Sequence, residues 1–231
     1  NVCGLAIEAT RRGKISGDLD YGHVDAIASL LGDIAYRKGV GKVLARGIRA
    51  AAVEWGLEDI AVHVKGLEPA GYDPRLLKGV GLGYATAGRG ACHLRATFYK
   101  PELSGMIDRE TTDGKAALYI DFEDRLTLFD TLILCRFYRD LYPWETLAEI
   151  VAYATGHRFE RAELKAVGSR ICDTVRRFNI REGLTAEDDR LPKRIHREAL
   201  KGGHRITERE LQHMLSDYYR LRGWSREGCP P

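Results

Sequence analysis

The chain has 231 residues, 44% of them hydrophobic and 30% charged, which is enough to bury a core as one large domain or two small ones. Its 36 basic and 33 acidic side chains leave a formal charge of +3, too small to mark a nucleic-acid or membrane-surface protein. No apolar run reaches the ~18 residues of a membrane span.

Gly4 to Arg12 reads as a short amphipathic helix ended near Gly13. From His23 to Lys38, Val24, Ile27, Leu30, Leu31 and Ile34 fall at helical steps, and Lys42 to Trp55 repeats the pattern, so the two predict a helical hairpin across Gly39-Val40-Gly41. Ala61-Val62-His63-Val64 fits a strand or an extended linker. Gly, Pro and Tyr then take over, and the domain boundary is placed near residue 68, dividing the chain into 1–68 and 69–231. Asp73-Pro74 should start a helix that runs through Leu77 and loosens at the glycines from 79 onward. Residues 101–114 read as a loop. Lys115 to Leu141 is the longest apolar-periodic stretch, too wide-faced for a surface helix, and is expected at the centre of the fold, with a break near Thr127. Helices follow over Trp144–Thr155 and Arg161–Asn179, then an extended surface segment from Asp188 to Gly203. Thr207 and Glu210 form a capping box ahead of the last helix. The class is mainly α-helical.

The five cysteines, at 3, 92, 135, 172 and 229, include no C-x-x-C pair, and no secretory leader is visible, so a reducing, cytoplasmic setting is expected. The opening Asn1-Val2-Cys3-Gly4, without an initiating methionine, reads as the start of a piece of a longer polypeptide. Two stretches stand out chemically. Glycines at 79, 81, 83, 88 and 90 would let backbone approach something flat or anionic, with Arg89 and Arg95 bracketing His93. The long helical stretch presents Asp130 and Cys135 near its end, and on an ideal helix these diverge, so they share a site only if the helix ends between them.

Several strings in order resemble the carboxyl-terminal part of the aldehyde ferredoxin oxidoreductase family: Val64-Lys65-Gly66-Leu67-Glu68 with Asp73-Pro74-Arg75, Leu82-Gly83-Tyr84 through Gly90-Ala91-Cys92-His93-Leu94-Arg95, and Asp130 to Leu134-Cys135. The resemblance implies the helical carboxyl-terminal domains of that fold, a bis-pterin tungsten or molybdenum cofactor (tungstopterin or molybdopterin), and a 4Fe-4S cluster. It implies His93 as the proton-handling residue, Asp130 and Leu134 as pterin contacts, and Cys135 as the fourth cluster ligand. Arg89 and Arg95 are read against the cofactor phosphates. The other partners it implies are an aldehyde, ferredoxin or an electron-transfer subunit, and the remaining amino-terminal part of the enzyme, without which this chain should be inactive. A homo-oligomer is compatible with all of this.

Plainer readings stand beside these. Cys135 could be a small buried hydrophobe on a core helix, Asp130 a surface carboxylate paired with Arg125 or Arg136, and His93 a loop histidine with a backbone partner. Arg136 is a candidate bridge between cluster and pterin by position alone, and Cys92 reads as packing. At the level of function, the alternatives are a related subunit that reduces an aromatic thioester, and a helical interaction module without cofactor.

Overall fold

Apolar residues at three- and four-residue steps dominate the first quarter of the chain. In the computed structural model, which describes residues 1–231, they form α1 (Val2–Arg11), α2 (Val24–Tyr36), α3 (Gly41–Leu44) and α4 (Ile48–Trp55). The single helix expected over 42–55 is two, because Gly47 takes a φ of 88° and turns the chain before it restarts. Leu5, Ala9, Leu44, Ile48 and Ala51 close one hydrophobic cluster. The stretch after α4 is a linker, with an isolated bridge between Val64 and Leu67 and no strand.

α5 (Lys78–Thr86) corrects the reading of the next stretch. Asp73 starts only a turn, its carbonyl accepting from the Leu76 and Leu77 amides at 3.0 and 3.1 Å, and the helix runs through the glycines instead of loosening at them. Glycine costs a helix about 1 kcal/mol relative to alanine, yet burial decides here, since every residue of α5 is buried. A Cβ at 79 would lie 2.3 Å from the Phe98 ring, at 81 3.0 Å from Ile206, and at 83 2.9 Å from the Tyr119 ring. These three glycines therefore admit the protein's own side chains and do not face a ligand. Glu102 serves the helix start, accepting from the Gly79 and Val80 amides at 2.8 and 3.1 Å, and Lys115 neutralises it in a fully buried pair.

The expected loop at 101–114 begins inside a short helix, α6 (Tyr99–Leu103). α7 (Lys115–Thr131) is unbroken at Thr127 and packs against α5, against α9 (Arg161–Arg181) and against α11 (Glu208–Arg222), which makes it central. α8 (Trp144–Thr155) and α10 (Lys193–Arg197) complete the all-helical architecture. A second cluster joins Tyr84, Phe98, Tyr119, Ile206 and Tyr218, and a third gathers Leu126, Phe129, Trp144, Leu147 and Leu164 around the end of α7. Thr207 and Glu210 make the capping box read from the sequence.

The segment expected to lie extended on the surface from Asp188 does not. Asp189, Leu191 and Ile195 are buried. The Asp189 carboxylate accepts from Lys65 at 2.8 Å, Arg176 at 3.1 Å and Tyr219 at 2.5 Å, and that set of donors makes its burial tolerable. At the middle of α7, Arg222 reaches Glu123 and Asp124 at 2.6 Å each. No helix is long and apolar enough to cross a membrane.

Candidate functional site

Two segments meet at one edge of the molecule, the loop between α5 and α6 and the turn that follows α7. The loop leaves α5 at Ala87, and Gly90, at φ 103°, passes so close to the Val64 carbonyl that a Cβ would lie 2.1 Å from that oxygen. His93, Leu94 and Arg95 follow, half-buried. The loop then folds back through Thr97, a buried β-branched residue held at φ 47°, a conformation such residues rarely adopt.

α7 ends at Thr131 in a Schellman closure: the Ile133 amide donates to the Asp130 carbonyl at 3.2 Å and the Leu134 amide to that of Phe129 at 2.8 Å. Ile133, at φ 58°, occupies the position that glycine usually takes, and its side chain is 92% exposed. Leu134 folds back onto the cluster that contains Phe129, while Cys135 is extended, exposed and outside any disulfide. The helix thus stops between Asp130 and Cys135, the condition under which the two can serve one face.

Arg136 joins the segments. Its Nε and Nη2 donate to the two Asp130 oxygens at 3.1 and 2.5 Å, and its Nη1 donates to the Leu94 carbonyl and, at 3.3 Å, to that of Arg95. Arg95 adds a contact to Asp130 at 3.4 Å. The plain pairing of Asp130 with Arg136 is therefore present, and it fixes the carboxylate beside the loop that carries His93. Arg89 is exposed and donates to the sulfur of the buried Cys92 at 3.0 Å.

The His93 ring lies 5.6 Å from that of Tyr72 and 6.4 Å from that of Tyr99, and those two tyrosines stack at 4.0 Å with 7° between their planes. Burial, and after it the positive charge of Arg89, hold the His93 imidazole below its ordinary pKa, so it is neutral at pH 7. Tyr72, Tyr99 and Arg139 are parts of the site that sequence reasoning missed. They lie 21 residues before His93, 6 after it and 46 after it in the chain, and no local pattern connects them.

The donor set fits the edge of a large metal-bearing cofactor and does not close around one. Asp130 is positioned as a two-oxygen acceptor with lone pairs to spare, and Cys135 offers one thiol. No group of three or more His, Cys, Asp and Glu side chains stands ready to hold a metal ion. Around Cys135 the surface is unusually apolar, with Ile133, Phe137 (89% exposed), Tyr138 and Leu141 all open. Two clefts lie elsewhere, one beside α1 and α2 and one between α4 and the 186–193 segment, and neither is lined by His93 or Cys135.

Residues 1–231 match the family described as aldehyde ferredoxin oxidoreductase, domains 2 and 3. The chain is 35% identical over 217 residues to the tungsten-containing aldehyde ferredoxin oxidoreductase of Pyrococcus furiosus, covering 91% of this chain and 36% of that one. It is 33% identical over 239 residues to the enzyme of the same description from Thermococcus kodakarensis, covering 98% and 40%. It thus spans well under half the length of these relatives. Among solved structures it resembles the active site complex BamBC of benzoyl coenzyme A reductase in complex with 1,5-dienoyl-CoA, with a TM-score of 0.75 over 99% of this chain and 41% of that one. At 20% identity that likeness is one of fold.

Proposed function

Because the chain belongs to the aldehyde ferredoxin oxidoreductase family, we propose that it is the carboxyl-terminal part of a tungsten- or molybdenum-pterin, iron-sulfur enzyme that oxidises an aldehyde to a carboxylic acid, with ferredoxin or an electron-transfer subunit taking the electrons. The supporting observation is the Arg136 seam, which holds the His93 loop and the Asp130–Cys135 turn to one edge.

When bound, the metal-pterin group supplies the two-electron acceptance and the oxygen polarisation that side chains lack. The chain's own residues bind, orient and move protons. Conversion of R–CHO and water to R–COO⁻ releases two electrons and three protons, and a neutral imidazole at His93 is poised to accept one of those protons at Nδ1 or Nε2. Asp130, pinned by Arg136, would accept two N–H bonds from an amino-pyrimidine edge, with Leu134 beside it. Arg89 and Arg95 would face the cofactor phosphates. Cys135 contributes one of the four thiolates of a 4Fe-4S cluster. The other three would come from another segment of the enzyme. The thioester-reducing alternative has fold likeness behind it and no residue of its own.

Metal analysis by mass spectrometry on the anaerobically purified enzyme tests this reading. Tungsten or molybdenum together with iron is the expected result. A protein free of all three would be a helical interaction module instead.

A further inference from the structure

We infer that Tyr99 and Arg139 are positioning residues that hold the His93 ring, on a loop tied through Arg136 to the turn carrying Cys135. The proton role of His93 rests on the function proposed above, whereas the positioning rests on geometry. Arg139 is buried, its Nε has no partner, and the adjacent Asp140 is taken by Lys100. A buried guanidinium without a carboxylate calls for another use. Here Nη1 donates to the Arg136 carbonyl at 2.9 Å and Nη2 reaches the Tyr99 hydroxyl at 3.5 Å, with the guanidinium 5.9 Å from the centre of the Tyr99 ring.

Followed around, the contacts close a circuit. Arg139 holds Tyr99, Tyr99 stacks on Tyr72, and the stacked pair lies beside His93 on one side. The next residue, Leu94, is bonded to Arg136, and Arg136 is bonded to Arg139. Lys100 and Asp140 add a further tie between the same two segments. Tyr84, Tyr119 and Tyr218 are buried core residues, but Tyr72 and Tyr99 are only half-buried beside His93, where they shape the site as well as filling space. Thr97, at φ 47°, lies between His93 and Tyr99 in the chain. The titratable groups facing His93 are Tyr72 from the turn before α5, Tyr99 from α6 and Arg89 from its own loop.

The test uses the intact holoenzyme with ¹³C-labelled histidine, the His93 signal being identified by its loss in His93→Gln. In Tyr99→Leu and Arg139→Gln the His93 resonance is expected to shift and its titration midpoint to rise, as the ring opens to water. In both, kcat should fall by roughly tenfold or more with little change in KM. Tyr99→Phe keeps the ring and should restore the wild-type signal, a rescue that general destabilisation would not give. If Tyr99→Leu fails to fold, Arg139→Gln carries the test. An unmoved His93 resonance and midpoint in Arg139→Gln overturns the inference. The proton role is judged separately: full activity in His93→Gln removes it, whatever the resonance does.

Discussion

His93 is a base kept neutral by two unequal causes, burial first and the Arg89 charge second, and the order has a measurable consequence. Arg89→Gln removes the smaller cause, so the His93 midpoint read by histidine NMR should rise and still remain below its ordinary value of about 6.5. A midpoint that falls or stays fixed would show that Arg89 exerts no field on the ring. The sign for stability follows. The folded imidazole titrates below the unfolded one, so as pH falls through the ordinary value the unfolded chain takes up protons first and stability is lost, by less in the variant. In the sequence, His93, Asp130 and Cys135 were legible as members of matching strings. Most of the contacts that orient them were not. Arg136 was legible as a possible partner of Asp130, but that it also ties the Leu94 and Arg95 carbonyls, and that Arg139 is buried over Tyr99, only the fold shows.

Among the elements, α11 follows its apolar period and capping box closely and α8 stops at Gly156 as read, whereas α2 forms but leaves Val24 and Leu31 of its expected apolar stripe exposed and buries only Leu30. α5 departs further, since a run of alternating glycines argues against a helix until the neighbours that need the space are known. Gly79→Ala separates the two effects. Higher helix propensity alone would stabilise by about 1 kcal/mol, but the added Cβ would lie 2.3 Å from Phe98, and overpacking of that kind costs about 1–3 kcal/mol. A net loss in the denaturation midpoint is expected, and a stabilised variant would contradict the close packing of α5 on Phe98. The end of α7 is the reverse case. Its apolar period continues past Thr131, and the chain nevertheless breaks at a β-branched Ile133 in a left-handed conformation costing about 1–2 kcal/mol. With strained Thr97 on the facing loop, both segments of the site carry backbone strain that the surrounding ties hold in place.

Over the whole molecule, the linker from Ala61 to Pro69 passes from the first hydrophobic cluster to the second, and we propose that the boundary between two domains lies there, near residue 68. Lys65 crosses it, its amine bonded to the Ala85 carbonyl and to Asp189. Asp189 is 1% exposed and is the common acceptor for Lys65 from the linker, Arg176 from α9 and Tyr219 from α11. The sequence hides this, because a carboxylate among charged neighbours reads as solvated until partners from distant positions are brought to it. Asp189→Asn leaves two buried cations without their counter-charge and should cost about 3–5 kcal/mol in urea unfolding; a loss below about 1 kcal/mol would mean that the pairing does not hold these parts together. The two segments at the site belong to the same edge, and the proposed function requires that they serve one metal-bearing group. The most direct measurement is the electron paramagnetic resonance spectrum of the reduced, intact enzyme with Cys135→Ala. Loss of the 4Fe-4S signal, with Cys229→Ala unaffected, is the expected result, and an unchanged cluster signal in Cys135→Ala would contradict it.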